Sequence, residues 1–253
     1  MKKLKQIGII LSLIITLSCN KSDNQNENPQ SICLPANLQN GVIAFYPFKN
    51  GSINDYSGNN YNLTNPTTAT SSADRNGNPN CAFKFVASNG EFLKYANPTF
   101  INDFQTLPFS ISLWYKNDTS TPSDYELLIG RDTNFHCPDT FGQWSVGLYD
   151  NRKPVLGINE YSLWWNIGSN VEASQWRHLV ITCNGNNLKL YLNGALTSEI
   201  AGTGCATNIP TLNAGDLFLG KNYNGFLDDV IIYDHILSQT EVNQLYGLAA
   251  CCG

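Results

Sequence analysis

The chain has 253 residues, a formal net charge of −5 and a pI near 5.1, with 42% hydrophobic, 14% charged and 11% aromatic residues. It is long enough to bury a sizeable core, as one all-β domain or two small ones, and too apolar and weakly charged to be disordered, coiled-coil or long-helical. The acidic balance offers no electrostatic footprint for nucleic acid, so that partner is excluded. What remains is an Asn- and Gly-rich, aromatic-bearing composition that favours strands joined by polar turns.

The N-terminus reads as an address. Lys2, Lys3 and Lys5 precede an apolar stretch from Ile7 to Leu17, too short to span a bilayer and typical of a signal-peptide core. It ends in Thr16-Leu17-Ser18-Cys19, which resembles a bacterial lipobox with Thr16 where that pattern usually has Leu. The resemblance implies cleavage before Cys19, lipidation of Cys19 and membrane anchoring through that lipid; an ordinary secretory signal is the alternative. The expected organisation is a lipoprotein signal peptide over 1–18, a polar tether over 19–31 and one domain over 32–253. The expected location is the bacterial cell envelope, on the outer membrane.

Beyond Cys19 there are seven cysteines: Cys33, Cys81, Cys137, Cys183, Cys205, Cys251 and Cys252. None forms the paired C-x-x-C knuckles of a zinc site, so an exported chain favours disulfides. An odd number leaves at least one thiol free. Cys33 and the Cys251/Cys252 pair bracket the domain, and a bridge between its ends is the favoured pairing, with Cys137 and Cys205 as further candidates. Cys183 lies within a strand pattern and reads as a small buried hydrophobe.

From Val42 onward short strands are punctuated by turns. Phe109, Ile111, Leu113 and Tyr115 alternate with Ser110, Ser112, Trp114 and Lys116. Leu179, Ile181 and Cys183 alternate with His178, Val180 and Thr182, and after Asn184–Asn187 the sequence Leu188, Leu190, Leu192 repeats the period before Asn193-Gly194. This predicts a β-hairpin followed by a second tight turn. Leu217–Gly220 and Phe226–Tyr233 supply two more strands. One helix is predicted, over Ser238–Leu245, from the Ser238/Glu241 capping box. The sum is an all-β antiparallel sandwich or jelly roll with one short C-terminal helix.

Several of these segments resemble bacterial LamG-like domains of the concanavalin A-like lectin and glucanase group. They are Phe45-Tyr46-Pro47-Phe48 with Asn54–Asn59, Phe109–Trp114, Trp176–Val180, Leu190–Gly194, and Gly225–Tyr233 with Leu237, Ser238 and Glu241. They occur in family order from about Val42 to Tyr246. The resemblance implies a jelly roll and, more loosely, a binding module, because one fold hosts many activities. It also implies a structural Ca²⁺ between the first strands and an aspartate of the last strand. On a face shared with Val230 and Ile232, Asp228 would meet Asp55, Ser57 and Asn59, together with carbonyls near Asn50 and Gly51. The alternative is a hydrogen-bonded Asp228 with no metal.

A glycoside hydrolase of the same superfamily needs two carboxylates flanking a scissile bond. The E-x-D-x-x-E signature of the laminarinase type is absent, and the nearest substitute, Asp124 with Glu126, reads as a solvated strand entrance. Glu160 and Glu172 stand alone, Cys137 beside His136 reads as disulfide-bonded, and His178 reads as structural. No catalytic residue is therefore assigned, and a hydrolase remains the runner-up to a non-catalytic module for a glycan or cell-surface protein. A purely structural or adhesive envelope protein is the third reading. Sugar recognition calls for aromatic platforms amid amides and carboxylates, and Tyr161, Trp164 and Trp165, with Trp144, Tyr149, Asp150 and Asn151 beside them, form the best such stretch. Trp114 and Trp176 are expected to fill the core or cover its second sheet.

Overall fold

A computed structural model describes residues 33–104, 107–120, 125–131, 144–149, 152–158, 161–163, 173–184, 187–201, 213 and 215–252, all within the unit 32–253. Cys19, the signal and tether segments, Asp124, Cys137, Trp164, Trp165 and Cys205 lie outside these residues. The elements are α1 (Ala36–Gln39), β1 (Val42–Tyr46), β2 (Thr70–Ser72), β3 (Ala82–Phe85), β4 (Leu93–Tyr95), β5 (Phe109–Asn117), β6 (Tyr125–Gly130), β7 (Trp144–Tyr149), β8 (Lys153–Ile158), β9 (Tyr161–Leu163), β10 (Trp176–Asn184), β11 (Asn187–Leu192), β12 (Ala195–Ala201), β13 (Leu217–Leu219), β14 (Gly225–Tyr233) and α2 (Gln239–Gly247).

All pairings are antiparallel. An eight-stranded sheet runs β12-β11-β10-β5-β14-β3-β2, with β1 also paired to β14, and a six-stranded sheet runs β4-β13-β6-β7-β8-β9. The period of two sets the layers. Phe109, Ile111, Leu113 and Tyr115 of β5, Leu179, Ile181 and Cys183 of β10, and Leu188 and Leu190 of β11 point into the core between the sheets. Trp144, Val146 and Leu148 meet them from β7. Asn193 and Gly194, both at positive φ (52° and 82°), form the two-residue turn that joins β11 to β12.

Two sequence expectations are corrected here. Trp144, expected on a ligand platform, is fully buried, its ring 5.6 Å from those of Phe104 and Phe109, because its strand parity turns it inward. Asp228 does not share a face with Val230 and Ile232. Asp229 sits at φ 43° in a β-bulge that breaks the β14–β5 register between Asp228 and Ile231. Leu227, Val230 and Ile232 consequently face the core, while Ile231 and Tyr233 face the opposite side of the sheet.

That opposite side carries a second apolar cluster: Leu34 and Leu38 with α1, and Val242 and Leu245 of α2, cover Phe45, Val180, Tyr191, Ile231 and Tyr233. The α2 N-terminus has the predicted reciprocal cap: Ser238 Oγ accepts from Glu241 N, and Ser238 N donates to Glu241 at 2.7 Å. Two disulfides fix the chain ends, Cys33–Cys251 and Cys81–Cys252, with Cα separations of 5.7 and 5.8 Å. The first is the expected bridge between the domain ends, and Cys183 is buried in the core as expected of a small hydrophobe.

Candidate functional site

The outer face of the eight-stranded sheet is ordered in rows, because residues opposite one another on adjacent strands project together. Val180, Ser112 and Ile231 form one row, and His178, Trp114 and Asp228 the next. The C-terminal segment lies over them. Tyr246, 42% exposed, stacks on Trp114 at 5.7 Å, and the Arg75 guanidinium lies 4.5 Å from the Trp114 ring. Arg75 Nη1 reaches Asp228 Oδ2 at 2.6 Å and Asp229 Oδ2 at 2.8 Å, while its Nη2 donates to Leu248 O. Burial and mutual repulsion push the Asp228 carboxyl well above its ordinary range, and burial raises Asp229 against the pull of Arg75. His178, beside Ser112 Oγ at 2.9 Å, is driven down to about 3 by burial, with Arg75 adding to the shift. Arg75, Ser112, Trp114, His178 and Asp229 line a cavity of about 20 Å³, the size of one water. Ser112 and His178 are both buried.

The following row is open. Trp176 of β10 stands opposite Lys116 of β5, Lys116 opposite Phe226 of β14, Phe226 opposite Lys84 of β3, and Lys84 opposite Thr70 of β2. Trp176, Lys116 and Phe226 are half-buried, and Lys84 and Thr70 are exposed. Lys116 Nζ lies 4.2 Å from the Phe226 ring centroid and 5.1 Å from that of Trp176. Burial lowers the Lys116 pKa. Thus Trp114 and Trp176, expected as core or cover, both project half-buried from the outer face of this sheet.

The expected calcium ligands are not brought together. Asp55 Oδ1 accepts from the backbone N–H groups of Phe45 and Ser57, and its Oδ2 accepts from Ser57 Oγ and Tyr61 N. Asn59 Nδ2 donates to Ile43 O. Phe45 is paired with Ile231, three positions along β14 from Asp228, whose partner is Arg75. The oxygens of Asp55 are thus already engaged in folding the loop, and this donor set does not fit an ion at Asp228. Among the described residues Asp74, Cys81 and Cys252 also cluster, but the two sulfurs are joined to each other.

Glu126 departs from its expected solvated setting. It points into the end of the sandwich, fully buried, with Oε2 2.9 Å from Arg152 Nε and Oε1 accepting from Asn224 N. Arg152 occupies a left-handed position (φ 62°) just before β8, which folds its guanidinium back over the carboxylate. Burial raises the Glu126 pKa, with Arg152 opposing. Tyr161 stands in β9. The row on the large sheet escaped sequence reading because its members come from five separated segments; the available signal was Trp176 and Lys116 at outward positions of alternating strands.

The profile of the concanavalin A-like lectin/glucanases superfamily named Laminin_G_3 matches residues 89–243, more than half of the chain. The chain belongs to this family. No curated protein matches the sequence of this Laminin_G_3 chain. Among solved structures it resembles the binding domain of botulinum neurotoxin DC in complex with rat synaptotagmin II, at 18% identity and TM-score 0.62 over 83% of this chain and 52% of that one. It also resembles domain 4 of AbnA, a GH43 extracellular arabinanase from Geobacillus stearothermophilus, in complex with arabinotriose, at 19% identity and TM-score 0.59 over 81% and 98% of the two chains. The binding domain of Paraclostridial Mosquitocidal Protein 1 matches at 20% identity and TM-score 0.63, over 83% and 52%. The chain spans about half the length of the toxin binding domains. At these identities the likeness shows a concanavalin A-like sandwich.

Proposed function

We propose that the chain is a lipid-anchored cell-envelope protein whose LamG-like domain binds a glycan on another surface without cleaving it. The observation that carries this reading is the outer row in which the half-buried rings of Trp176 and Phe226 flank Lys116. A pyranose has an apolar face suited to such rings and a rim of polar groups suited to the charges beside them. The non-catalytic part is supported by Glu126, the described member of the nearest carboxylate pair, which is fully buried against Arg152. The anchor rests on the basic, apolar and small-residue succession before Cys19.

The full-length protein, expressed with labelled palmitate, should incorporate label, and Cys19→Ala should not. Retention on a panel of insoluble polysaccharides should be weakened several-fold in Trp176→Ala. Release of reducing ends from any of them would replace the binding reading with a hydrolase, and no retention on any would remove the glycan.

A further inference from the structure

We propose that the open row Trp176–Lys116–Phe226–Lys84 binds an anionic polysaccharide bearing carboxylates along its length, of the polyuronate type. This rests on the glycan-binding reading and specifies the class of glycan.

Charge is the first ground. The chain is acidic overall, and three of its cations are paired with carboxylates: Arg75 with Asp228 and Asp229, Arg152 with Glu126 and Asp118, Lys94 with Asp216. Among the described residues neither Lys116 nor Lys84 has a carboxylate partner. Both stand directly opposite Phe226, one on each side. Their strands are two inter-strand spacings apart, on the order of 10 Å, with one phenyl ring between them. A carboxylate-bearing chain lying along the row would pass both ammonium groups.

Preorganisation is the second. Lys116 is held between two aromatic faces, so it loses little rotamer freedom on pairing, and part of its desolvation is already complete in the free protein. A carboxylate brought there interacts through a lower effective dielectric than at a bare surface lysine.

Shape is the third. The row crosses β10, β5, β14, β3 and β2 in a straight line, about 19 Å at the usual strand spacing. Among the described residues neither end is closed by a neighbouring strand: β11 pairs with β10 only as far as Leu179 and turns at Asn193, before reaching Trp176, and β2 is a sheet edge. An open, linear track suits an extended chain better than a single terminal sugar.

The test is affinity electrophoresis of the full-length protein in gels containing polygalacturonate, neutral arabinan or polyaspartate, at low and high salt. Polygalacturonate should retard the protein most, and added salt should weaken the effect. Lys116→Gln with Lys84→Gln should lower the polygalacturonate affinity at least tenfold with an unchanged melting curve, and Trp176→Ala should lower it as well. Equal retardation by arabinan, unaffected by the lysine changes, would overturn the anionic ligand and leave the glycan-binding reading standing. Retardation by polyaspartate equal to that by polygalacturonate would assign the row to an acidic protein and overturn the proposal. No retardation in any gel would overturn both readings.

Discussion

Arg75 and Asp228 meet at 2.6 Å with Asp228 fully buried, and the same nitrogen of Arg75 lies 2.8 Å from Asp229. One guanidinium thus serves two carboxylates 153 and 154 positions away in sequence, beneath a C-terminal segment whose Cys251 N donates to Asp229. Arg75→Met should destabilise the domain by about 3–5 kcal/mol, because it strands buried charge rather than because the pair itself is strong. Both carboxyls are raised, so their charged forms oppose folding: their contribution is most favourable below the unfolded carboxyl pKa near 4 and declines as pH rises through the folded values. Denaturant titrations should therefore show a smaller cost for Arg75→Met at pH 4.5 than at pH 7. A cost independent of pH would contradict this account of the cluster.

His178 has the opposite slope. Its folded pKa is lowered to about 3 by burial and by Arg75, while Ser112, Trp114 and Tyr246 surround the ring without supplying a counter-charge. A depressed histidine contributes stability that is present above the unfolded pKa near 6.5 and is lost as pH falls toward the folded value, by up to about 1.4 kcal/mol per pH unit. His178→Gln should flatten that part of the pH–stability curve between pH 6 and 4. Subtracting its curve from the native one separates the imidazole from Asp228 and Asp229.

The two disulfides should contribute comparably. Cys33–Cys251 closes nearly the whole domain, worth roughly 5 kcal/mol in the chain-entropy model. With that bridge in place, Cys81–Cys252 closes a route of about fifty residues through Cys33, worth roughly 4 kcal/mol. Chemical denaturation of Cys81→Ala/Cys252→Ala should show that second loss, and mass mapping of the unreduced protein should find each C-terminal cysteine with its stated partner.

Asp55 offers a check on the opening loop. Its carboxylate accepts three backbone N–H groups and one hydroxyl, so Asp55→Ala should cost about 3 kcal/mol or more. The loss should be the same in calcium and in chelator. A loss seen only in calcium would restore the residue as a metal ligand.

The strands, the core faces of β5, β10 and β11, the Asn193-Gly194 turn and the α2 cap were legible in the sequence, since each depends on neighbours within a few positions. The bulge at Asp229 was not. Val230–Tyr233 is apolar on both faces because the eight-stranded sheet has a core on either side, so no alternation marks the extra residue. The open row was hidden for a related reason. Parity shows that Trp176 and Lys116 face away from Leu179 and Leu113, but not that α2 and the C-terminal strap stop one row short of them. That boundary depends on the Arg75 ion pairs and on strands brought together from residues 70 to 226.

Trp144, whose expected place on a platform is overturned, and Trp176 give the sharpest contrast. Trp144 is enclosed by Phe104 and Phe109, and Trp144→Ala should cost about 3–5 kcal/mol through lost burial and the cavity left behind. Trp176 is half-buried at the start of β10, where among the described residues its ring meets Lys116 and Phe226. Trp176→Ala should cost about 1 kcal/mol or less, the scale of an exposed cation–π contact. Stacking one sugar ring on that indole adds on the order of 1 kcal/mol beyond the area it buries, so the same change should weaken polysaccharide retention several-fold. Paired measurements of melting and retention on both variants decide the matter. Trp144→Ala measured below its melting temperature should keep its retention, and Trp176→Ala should melt almost as the native chain does while its retention falls several-fold. A Trp176 variant that melts early and binds normally would return that residue to the structural role its sequence motif suggested.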